Sequence, residues 1–301
     1  MILYKSLGDK LEQIKEKPFK LERDIQNLFE QNLPLIMGLE LVKSEFTIKS
    51  KRIDTLAYDP QSKAFVIIEY KRDRNASVVD QGFTYLSLML QNKADFILEY
   101  NEGLEKTLAR DSVDWSQTRV VFVSTDFTEN QKEATNFKDL AIELWEFKRF
   151  ENGTVTISPI RKTKSAESIK PITQTNTELK EVTNEIKVYT EEDLLRGKSE
   201  EVIELYEKFK SSILNLADGI EVRPQKFYIA FKIGNNNVCD FEIQKNGLKL
   251  TINIKRGNLD DPKNITRDIS SVGHLGNGDY EVKVADDKNL EYIMSLVKQA
   301  I

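Results

Sequence analysis

Two apolar stretches joined by a short turn constrain the fold of this chain more than any other feature. Residues 52–59 read RIDTLAYD, and residues 65–71 read FVIIEYK. The link between them contains Pro60 and Ser62, which are typical of a turn. Because Val, Ile, Phe and Tyr favour strands, the pattern predicts a hairpin of two largely buried strands, 52–59 and 64–71.

Acidic residues and a lysine lie at the ends of these strands. Glu69 and Lys71 are two residues apart, so their side chains point to the same face of the sheet, and the hairpin can place the Asp54 carboxylate beside Glu69. Two carboxylates suit Mg²⁺ or Mn²⁺, because hard cations prefer oxygen ligands. A metal ion there would neutralise a phosphodiester and activate water, and Lys71 would orient that water or stabilise developing charge. A second interpretation stays open, in which Asp54 forms an ordinary salt bridge with Arg52 or Lys71.

Two predicted helices carry further polar residues toward this region. The helix at 19–32 places Glu22 on the face it shares with Ile25 and Phe29, where it would add a third carboxylate; Glu30 is the alternative, with a poorer helical phase. On the helix at 77–92, Gln81 and Tyr85 lie one turn apart and face the same way. They would position a phosphate, a water molecule or a base.

The rest of the pattern predicts an α/β domain, a linker and a second domain. Strands are expected at 39–48, 119–124, 140–149 and 154–160, with a helix near 128–138. Polar, Lys- and Thr-rich residues 158–189 are expected to be an interdomain linker, which gives domains at 1–157 and 190–301. In the second domain we expect helices at 191–215 and 287–300 and strands at 226–234, 238–245, 248–256 and 279–285.

The order of these polar residues resembles the PD-(D/E)XK nuclease superfamily. Asp54 is followed by Glu69-Tyr70-Lys71 and then by Gln81-Gly82-Phe83-Thr84-Tyr85, whose Gln-x3-Tyr element is similar to that of RecB-type and NucS-like nucleases. The resemblance spans roughly residues 15–125. It implies a restriction-endonuclease-like αβββαβ core, also seen in tRNA-endonuclease-like domains, with a mixed sheet flanked by helices. It further implies Asp54 and Glu69 as Mg²⁺ ligands, Lys71 as the catalytic lysine, and Glu22 as an assisting acid and third ligand. The chain departs from the pattern at Ile53, where many members have proline.

Basic residues flank the predicted centre. Lys51 and Arg52 precede Asp54, and Arg72 and Arg74 follow Glu69. These side chains are candidates for contacts with a nucleic-acid backbone. A solvated turn is the alternative explanation for such a cluster.

Composition limits where and how such a protein would act. The net charge of −5 excludes a general electrostatic attraction to nucleic acid, so binding would require a local basic patch. Cys239 is the one cysteine, which excludes an internal disulfide. The sequence contains no apolar run long enough to span a membrane, and the early charges at Lys5 and Asp9 argue against a signal peptide. We therefore expect a cytoplasmic protein.

Residues 190–301 resemble an uncharacterised α+β domain found after nuclease-like domains in proteins labelled "predicted transport protein". The resemblance is carried by Lys226-Phe227-Tyr228-Ile229-Ala230-Phe231-Lys232, by Arg267-Asp268 and by Gly273-His274-Leu275-Gly276-Asn277-Gly278-Asp279-Tyr280. The chain departs from it at Leu194 and Leu275, where histidine and tryptophan are expected. A nucleic-acid surface that includes Tyr228, Phe231, Lys232, Lys255 and Arg256 is one hypothesis for this domain; strand alternation with a buried face is the simpler one.

Together these features favour a Mg²⁺-dependent nuclease that hydrolyses phosphodiester bonds of DNA rather than RNA, with the second domain selecting the substrate or a partner. A homodimer is compatible with the resemblance. Two other hypotheses remain: a catalytically inactive nucleic-acid-binding module and a protein-interaction adaptor.

Overall fold

The computed structural model describes residues 2–72, 77–163, 165–174, 176–273 and 277–301. Arg74 and the motif residues His274, Leu275 and Gly276 therefore lie outside the described residues. The chain divides into two compact units, Met1–Val188 and Tyr189–Ile301.

The first unit is an α/β unit whose elements follow the αβββαβ order. In chain order its elements are β1 Leu3–Leu7, β2 Lys10–Ile14, α1 Glu22–Gln31, α2 Leu33–Met37, β3 Glu40–Ile48, β4 Lys51–Asp59, β5 Ala64–Lys71, α3 Val78–Gln91, α4 Lys93–Leu104, β6 Arg119–Ser124, α5 Glu129–Thr135, β7 Ile142–Arg149, β8 Val155–Pro159, α6 Lys170–Thr173 and α7 Thr177–Glu185. Short 3-10 turns lie at Arg110–Ser112 and Trp115–Gln117.

A mixed sheet in the order β3-β4-β5-β6-β7-β8 forms the centre of the first unit, as the described residues show it. Strands β3, β4 and β5 are antiparallel and joined by tight turns. Strands β5, β6 and β7 are parallel, and α3 and α4 make the crossover that a parallel pair requires. The predicted mixed sheet flanked by helices is therefore confirmed.

Strand β5 is buried on both faces, which explains its nearly continuous apolar sequence. Phe65 and Ile67 point into a core shared with α3 and α4, whereas Val66 and Ile68 point into a second core that includes Phe29 of α1. Helices α1 and α3 thus cover opposite faces of the same strand, and both reach its C-terminal end.

Residues 158–189 differ from the expected linker. Strand β8 extends to Pro159 and pairs with β7. Beyond it, Ile169, Val182 and Ile186 are each 4% exposed and belong to the hydrophobic core against which α3 packs. The segment has few apolar residues, but those few are buried in the core of the first unit. The segment therefore packs on this unit and does not act as a free spacer.

The hairpin β1–β2 was not predicted. It pairs from Leu3–Ile14 to Leu7–Lys10 and forms a separate two-stranded sheet. The chain then contacts the C-terminal end of β7, where the backbone N–H of Lys17 donates to the carbonyl of Arg149 at 2.8 Å.

The second unit is an antiparallel sheet covered on one face by helices. Its elements are α8 Glu191–Leu195, α9 Glu200–Leu214, β9 Ile220–Pro224, β10 Ile229–Ile233, β11 Asn236–Ile243, β12 Leu248–Ile252, β13 Arg267–Asp268, β14 Tyr280–Val284, α10 Leu290–Val297 and a 3-10 turn at Lys298–Ala300. Among the described residues the strand order is β13-β14-β12-β11-β10-β9. The predicted helix at 191–215 is interrupted because Gly197 adopts a left-handed φ of +76°.

Within the described ranges, none of the helices has the length and apolar character needed to cross a bilayer.

Candidate functional site

The candidate site lies where β4 and β5 separate. Their antiparallel pairing begins at Thr55–Ile68, so Asp54 and Glu69 lie just beyond the end of the ladder. Side chains replace the missing ladder bonds: the backbone N–H of Asp54 donates to Glu69 Oε1 at 3.1 Å, and the backbone N–H of Tyr70 donates to Asp54 Oδ2 at 3.0 Å. These bonds hold the two carboxylates beside each other, as the sequence predicted.

The other side of Asp54 is held by helix α1. The carbonyl of Asp54 accepts a hydrogen bond from Gln26 Nε2 at 2.9 Å. Across from it on β3, Glu45 has a left-handed φ of +55°, and the regular pairing of β3 with β4 resumes on either side at Ser44–Thr55 and Phe46–Ile53. Gln26 therefore supplies a donor to Asp54 at an irregular position of the sheet.

Lys71, Gln81 and Tyr85 surround the Glu69 carboxylate. Lys71 Nζ lies 3.4 Å from Glu69 Oε2, and Gln81 Nε2 donates to the same oxygen at 3.0 Å. Gln81 also donates to Tyr85 Oη at 3.0 Å, and Tyr85 Oη donates to the Arg52 carbonyl at 3.3 Å. The two helical residues predicted to face the site thus contact it directly.

Helix α3 reaches this position because Gly82 allows it to approach the sheet. A Cβ added to Gly82 would lie 2.4 Å from Ile142 Cδ1 on β7. A larger side chain there would require the Ile142 side chain to change its rotamer or α3 to move outward.

Burial shapes the electrostatics of the acid pair. Glu69 is 3% exposed; burial, together with the neighbouring Asp54 carboxylate, raises the pKa of Glu69 to about 7. Burial also raises the pKa of Asp54, while the Tyr70 backbone N–H and the Lys71 ammonium act in the opposite direction. Two adjoining carboxylates whose charged forms are disfavoured form a site at which a cation would be strongly stabilising.

Glu22 lies at the edge of the site in the first turn of α1. Its Oε1 accepts the backbone N–H of Arg72 at 2.8 Å, and its charge contributes to the raised pKa of Asp54. Across the described residues, no three or more His, Cys, Asp or Glu side chains are grouped so that they could hold a metal ion. The structure therefore places Asp54 and Glu69 side by side, whereas the Glu22 carboxylate lies nearby and accepts the Arg72 backbone N–H.

Glu30 lies behind the site on the α1 face of the sheet. It accepts hydrogen bonds from Thr55 Oγ1 and from Gln26 Nε2, and Thr55 Oγ1 also lies 3.2 Å from Tyr70 Oη. Sequence reasoning considered Glu30 but missed Gln26, Thr55 and Tyr70. The sequence signal that could have identified Gln26 is its position next to the core residue Ile25 on an amphipathic helix.

The predicted basic residues have different surroundings. Lys51 is exposed at the start of β4. Arg52 Nε pairs with Glu45 at 3.0 Å, and Arg72 Nη1 donates to the Lys20 carbonyl at 2.6 Å. These three residues lie at the protein surface near the candidate site, and two of them, Arg52 and Arg72, already contact other protein groups.

The aromatic surface considered for the second unit is not formed. Phe231 is fully buried and Tyr228 is 6% exposed, so neither ring is available for base stacking. Burial in β10 is continuous from Ile229 to Phe231, so the region has a buried face as expected but does not follow strict strand alternation.

Sequence comparison finds a full-length relative. An uncharacterized protein of Haemophilus influenzae is 54% identical over 301 residues, which covers 100% of this chain and 99% of that protein. The chain belongs to the family of this Haemophilus protein. Its second unit also matches a family described as "Domain of unknown function (DUF5655)" over residues 191–301.

Solved structures are similar to part of the chain. A repair endonuclease from Pyrococcus abyssi is 19% identical over 40% of this chain and 44% of that chain, with a TM-score of 0.23. EndoMS in its apo form is 16% identical over 44% and 58%, with a TM-score of 0.26. SfsA of Pyrococcus furiosus in complex with Ca²⁺ is 16% identical over 52% and 73%, with a TM-score of 0.24. The family assignment therefore rests on the Haemophilus relative.

Proposed function

We propose that this protein is a metal-dependent nuclease that hydrolyses phosphodiester bonds, with DNA favoured over RNA on the strength of the sequence resemblance. The observation that carries the proposal is the meeting of Asp54 and Glu69 at the separated ends of β4 and β5, with Lys71 3.4 Å from Glu69. In this proposal the first unit cuts, and the second unit selects the substrate or a partner.

The donor set fits Mg²⁺ or Mn²⁺. Asp54 and Glu69 supply carboxylate oxygens, and burial raises the pKa of each even though Lys71 opposes the rise, so a further positive charge would stabilise the ionised pair. A bound divalent ion would supply that charge, polarise the phosphoryl group and lower the pKa of a water molecule. With two protein ligands, the remaining positions suit water and phosphate oxygens, as is usual for Mg²⁺.

We assign the other roles from the contacts of each side chain. Lys71, as an ammonium donor beside Glu69, orients the attacking water or stabilises the negative charge that develops on the phosphate. Gln81 and Tyr85 hold Glu69 and the Arg52 backbone in place. Glu22 assists by orienting the Arg72 backbone. We assign contacts with the nucleic-acid backbone to Lys51, Arg52, Arg72 and Arg74.

The test is cleavage of labelled single- and double-stranded DNA and RNA with Mg²⁺ or Mn²⁺, comparing the wild type with Lys71→Ala. We expect metal-dependent cutting that falls by about 10²–10⁴-fold in the variant, the range usual for loss of one proton-transfer group. Lys283→Ala, an exposed lysine on β14, is the matched control and should cut like the wild type.

Cutting that survives Lys71→Ala unchanged would refute the assigned centre. Nucleic-acid binding without any cleavage, retained in Asp54→Ala, would instead identify the inactive binding module. A folded protein with neither property would support the adaptor.

A further inference from the structure

A buried amide and a buried carboxyl group meet on β11 in the second unit. Asn237 is 6% exposed and Asp240 is 2% exposed, and Asn237 Nδ2 donates to Asp240 Oδ1 at 2.7 Å. The register of β10 against β11 shifts between Phe231 and Lys232. This bulge allows side chains three residues apart to meet on one face of the strand.

The other oxygen of each group accepts no hydrogen bond. Asn237 Oδ1 and Asp240 Oδ2 are both closed to solvent and have no hydrogen-bond partner, while the Asn277 backbone N–H also approaches the Asp240 carboxyl group. Leaving two buried acceptors unsatisfied is costly, and native proteins rarely do so. An ionised Asp240 cannot resolve this, because a carboxylate only accepts hydrogen bonds.

A proton on Asp240 Oδ2 would satisfy both oxygens at once. The carboxylic O–H would donate to Asn237 Oδ1, while Asn237 Nδ2 continues to donate to Asp240 Oδ1, so the two groups would form a cyclic pair with two hydrogen bonds. Protonation also requires no additional cavity volume. A buried water molecule that satisfied the same two oxygens would need space and two or more polar partners.

We propose that Asp240 is a carboxylic acid paired with Asn237 in the folded protein, and that ionisation of this group breaks the pair and loosens the second unit. The device is therefore a pH-sensitive latch in the sheet. It is independent of the nuclease site proposed above.

Charged groups around Asp240 come from several strands. Burial raises the pKa of Asp240 to about 6, and the Glu242 carboxylate on β11 adds to this rise. The rise is opposed by the Asn237 amide, the Asn277 backbone N–H and Lys232 of β10. On the same face, Asp240 is paired in register with Thr251 of β12, and Thr251 with Glu281 of β14. Glu281 is neutralised by Arg267 of β13 at 3.1 Å, and Glu242 by Lys249 of β12.

The Asn237–Asp240 pair lies against Asn277, which shortly precedes β14. The Asn277 backbone N–H faces the Asp240 carboxyl group, and the next residue, Gly278, packs so tightly that an added Cβ would lie 1.8 Å from the Ile252 carbonyl oxygen. A change at Asp240 would therefore act first on the Asn277 backbone, next to this tightly packed glycine.

The sign of the pH dependence follows from the raised pKa. Between pH 3.8 and about 6 the folded chain binds a proton at Asp240 that the unfolded chain has released. The second unit therefore loses stability as the pH rises through this window and stays less stable above it. A difference of about two pH units corresponds to roughly a hundredfold change in the unfolding equilibrium constant.

The test uses the full chain and Asp240→Asn, whose amide can donate to Asn237 Oδ1 at every pH. Both tryptophans, Trp115 and Trp145, lie in the first unit, so opening of the second unit is measured by hydrogen–deuterium exchange of β11 and β12 amides, corrected for intrinsic exchange. At pH 8 the variant should exchange roughly a hundredfold more slowly than the wild type, and the two should converge near pH 4. Asp218→Asn, the same change at an exposed site in this unit, should behave like the wild type.

A variant that exchanges faster than the wild type at pH 8 would overturn the proposal, because it would show that the ionised carboxylate is the stabilising form. A second measurement needs no variant: the ¹³C shift of the Asp240 carboxyl carbon is followed against pH in the wild type. A midpoint near 6 supports the proposal, and a midpoint at or below the ordinary aspartate value contradicts it.

Discussion

Replacing Gln26 by Leu should weaken both the first unit and its candidate metal site. Gln26 is 5% exposed, and its Nε2 lies 2.9 Å from the Asp54 carbonyl, 3.1 Å from Glu30 Oε1 and 3.2 Å from Ser44 Oγ. Leucine fills a similar volume without a donor, so the Asp54 carbonyl would lose its partner. An unsatisfied buried acceptor costs about 1–3 kcal/mol, and we expect the free energy of unfolding to fall by that amount.

The assay is urea unfolding followed by tryptophan fluorescence, which reports on the first unit because both tryptophans lie there. Gln31→Leu is the matched control: it is the same change at an exposed position of the same helix, and it should alter stability by less than about 0.5 kcal/mol. Mn²⁺ titration of both variants should show weaker binding for Gln26→Leu alone, because Asp54 is no longer held. If the two variants unfold at the same urea concentration and bind Mn²⁺ equally, Gln26 does not position Asp54.

Two further changes test the packing of each unit. Arg119→Leu removes the cation that Asp59 and Glu143 share, at 3.0 Å and 3.3 Å, and should cost about 3–5 kcal/mol because two largely buried carboxylates lose their countercharge; Asp59 keeps the backbone N–H donors of Gln61 and Ser62. Arg119 holds the pKa of Asp59 below its ordinary value, so the stability of the wild type falls as the pH drops below about 4. Acidification should therefore reduce the difference in unfolding free energy between the wild type and the variant. Urea unfolding of both proteins between pH 3 and 7 measures this difference. Gly278→Ala should destabilise the second unit by at least about 1–3 kcal/mol because its Cβ would meet the Ile252 carbonyl, whereas Gly273→Ala, in open space, should be neutral by hydrogen exchange.

Sequence patterns determined strands β3 to β8 and helices α1, α3 and α5 of the first unit, and the grouping of its chemical residues. The apolar runs of β4 and β5 and the period of α3 are strong local signals, and they place Asp54, Glu69, Lys71, Gln81 and Tyr85 on known faces of known elements. The pairing of β4 with β5 brings Asp54, Glu69 and Lys71 together, and the packing of α3 adds Gln81 and Tyr85, as expected.

Only the tertiary structure decided which polar residues support that group and where the first unit ends. Gln26 contacts Asp54 because α1 crosses the sheet at one particular place, and no periodicity specifies that crossing. Residues 158–189 look like a linker by composition, yet a few well-spaced apolar side chains are enough to bury the segment against α3. In the second unit, a one-residue bulge brings Asn237 to Asp240. Each of these contacts joins residues through packing or register, which depends on the whole fold and not on the local sequence.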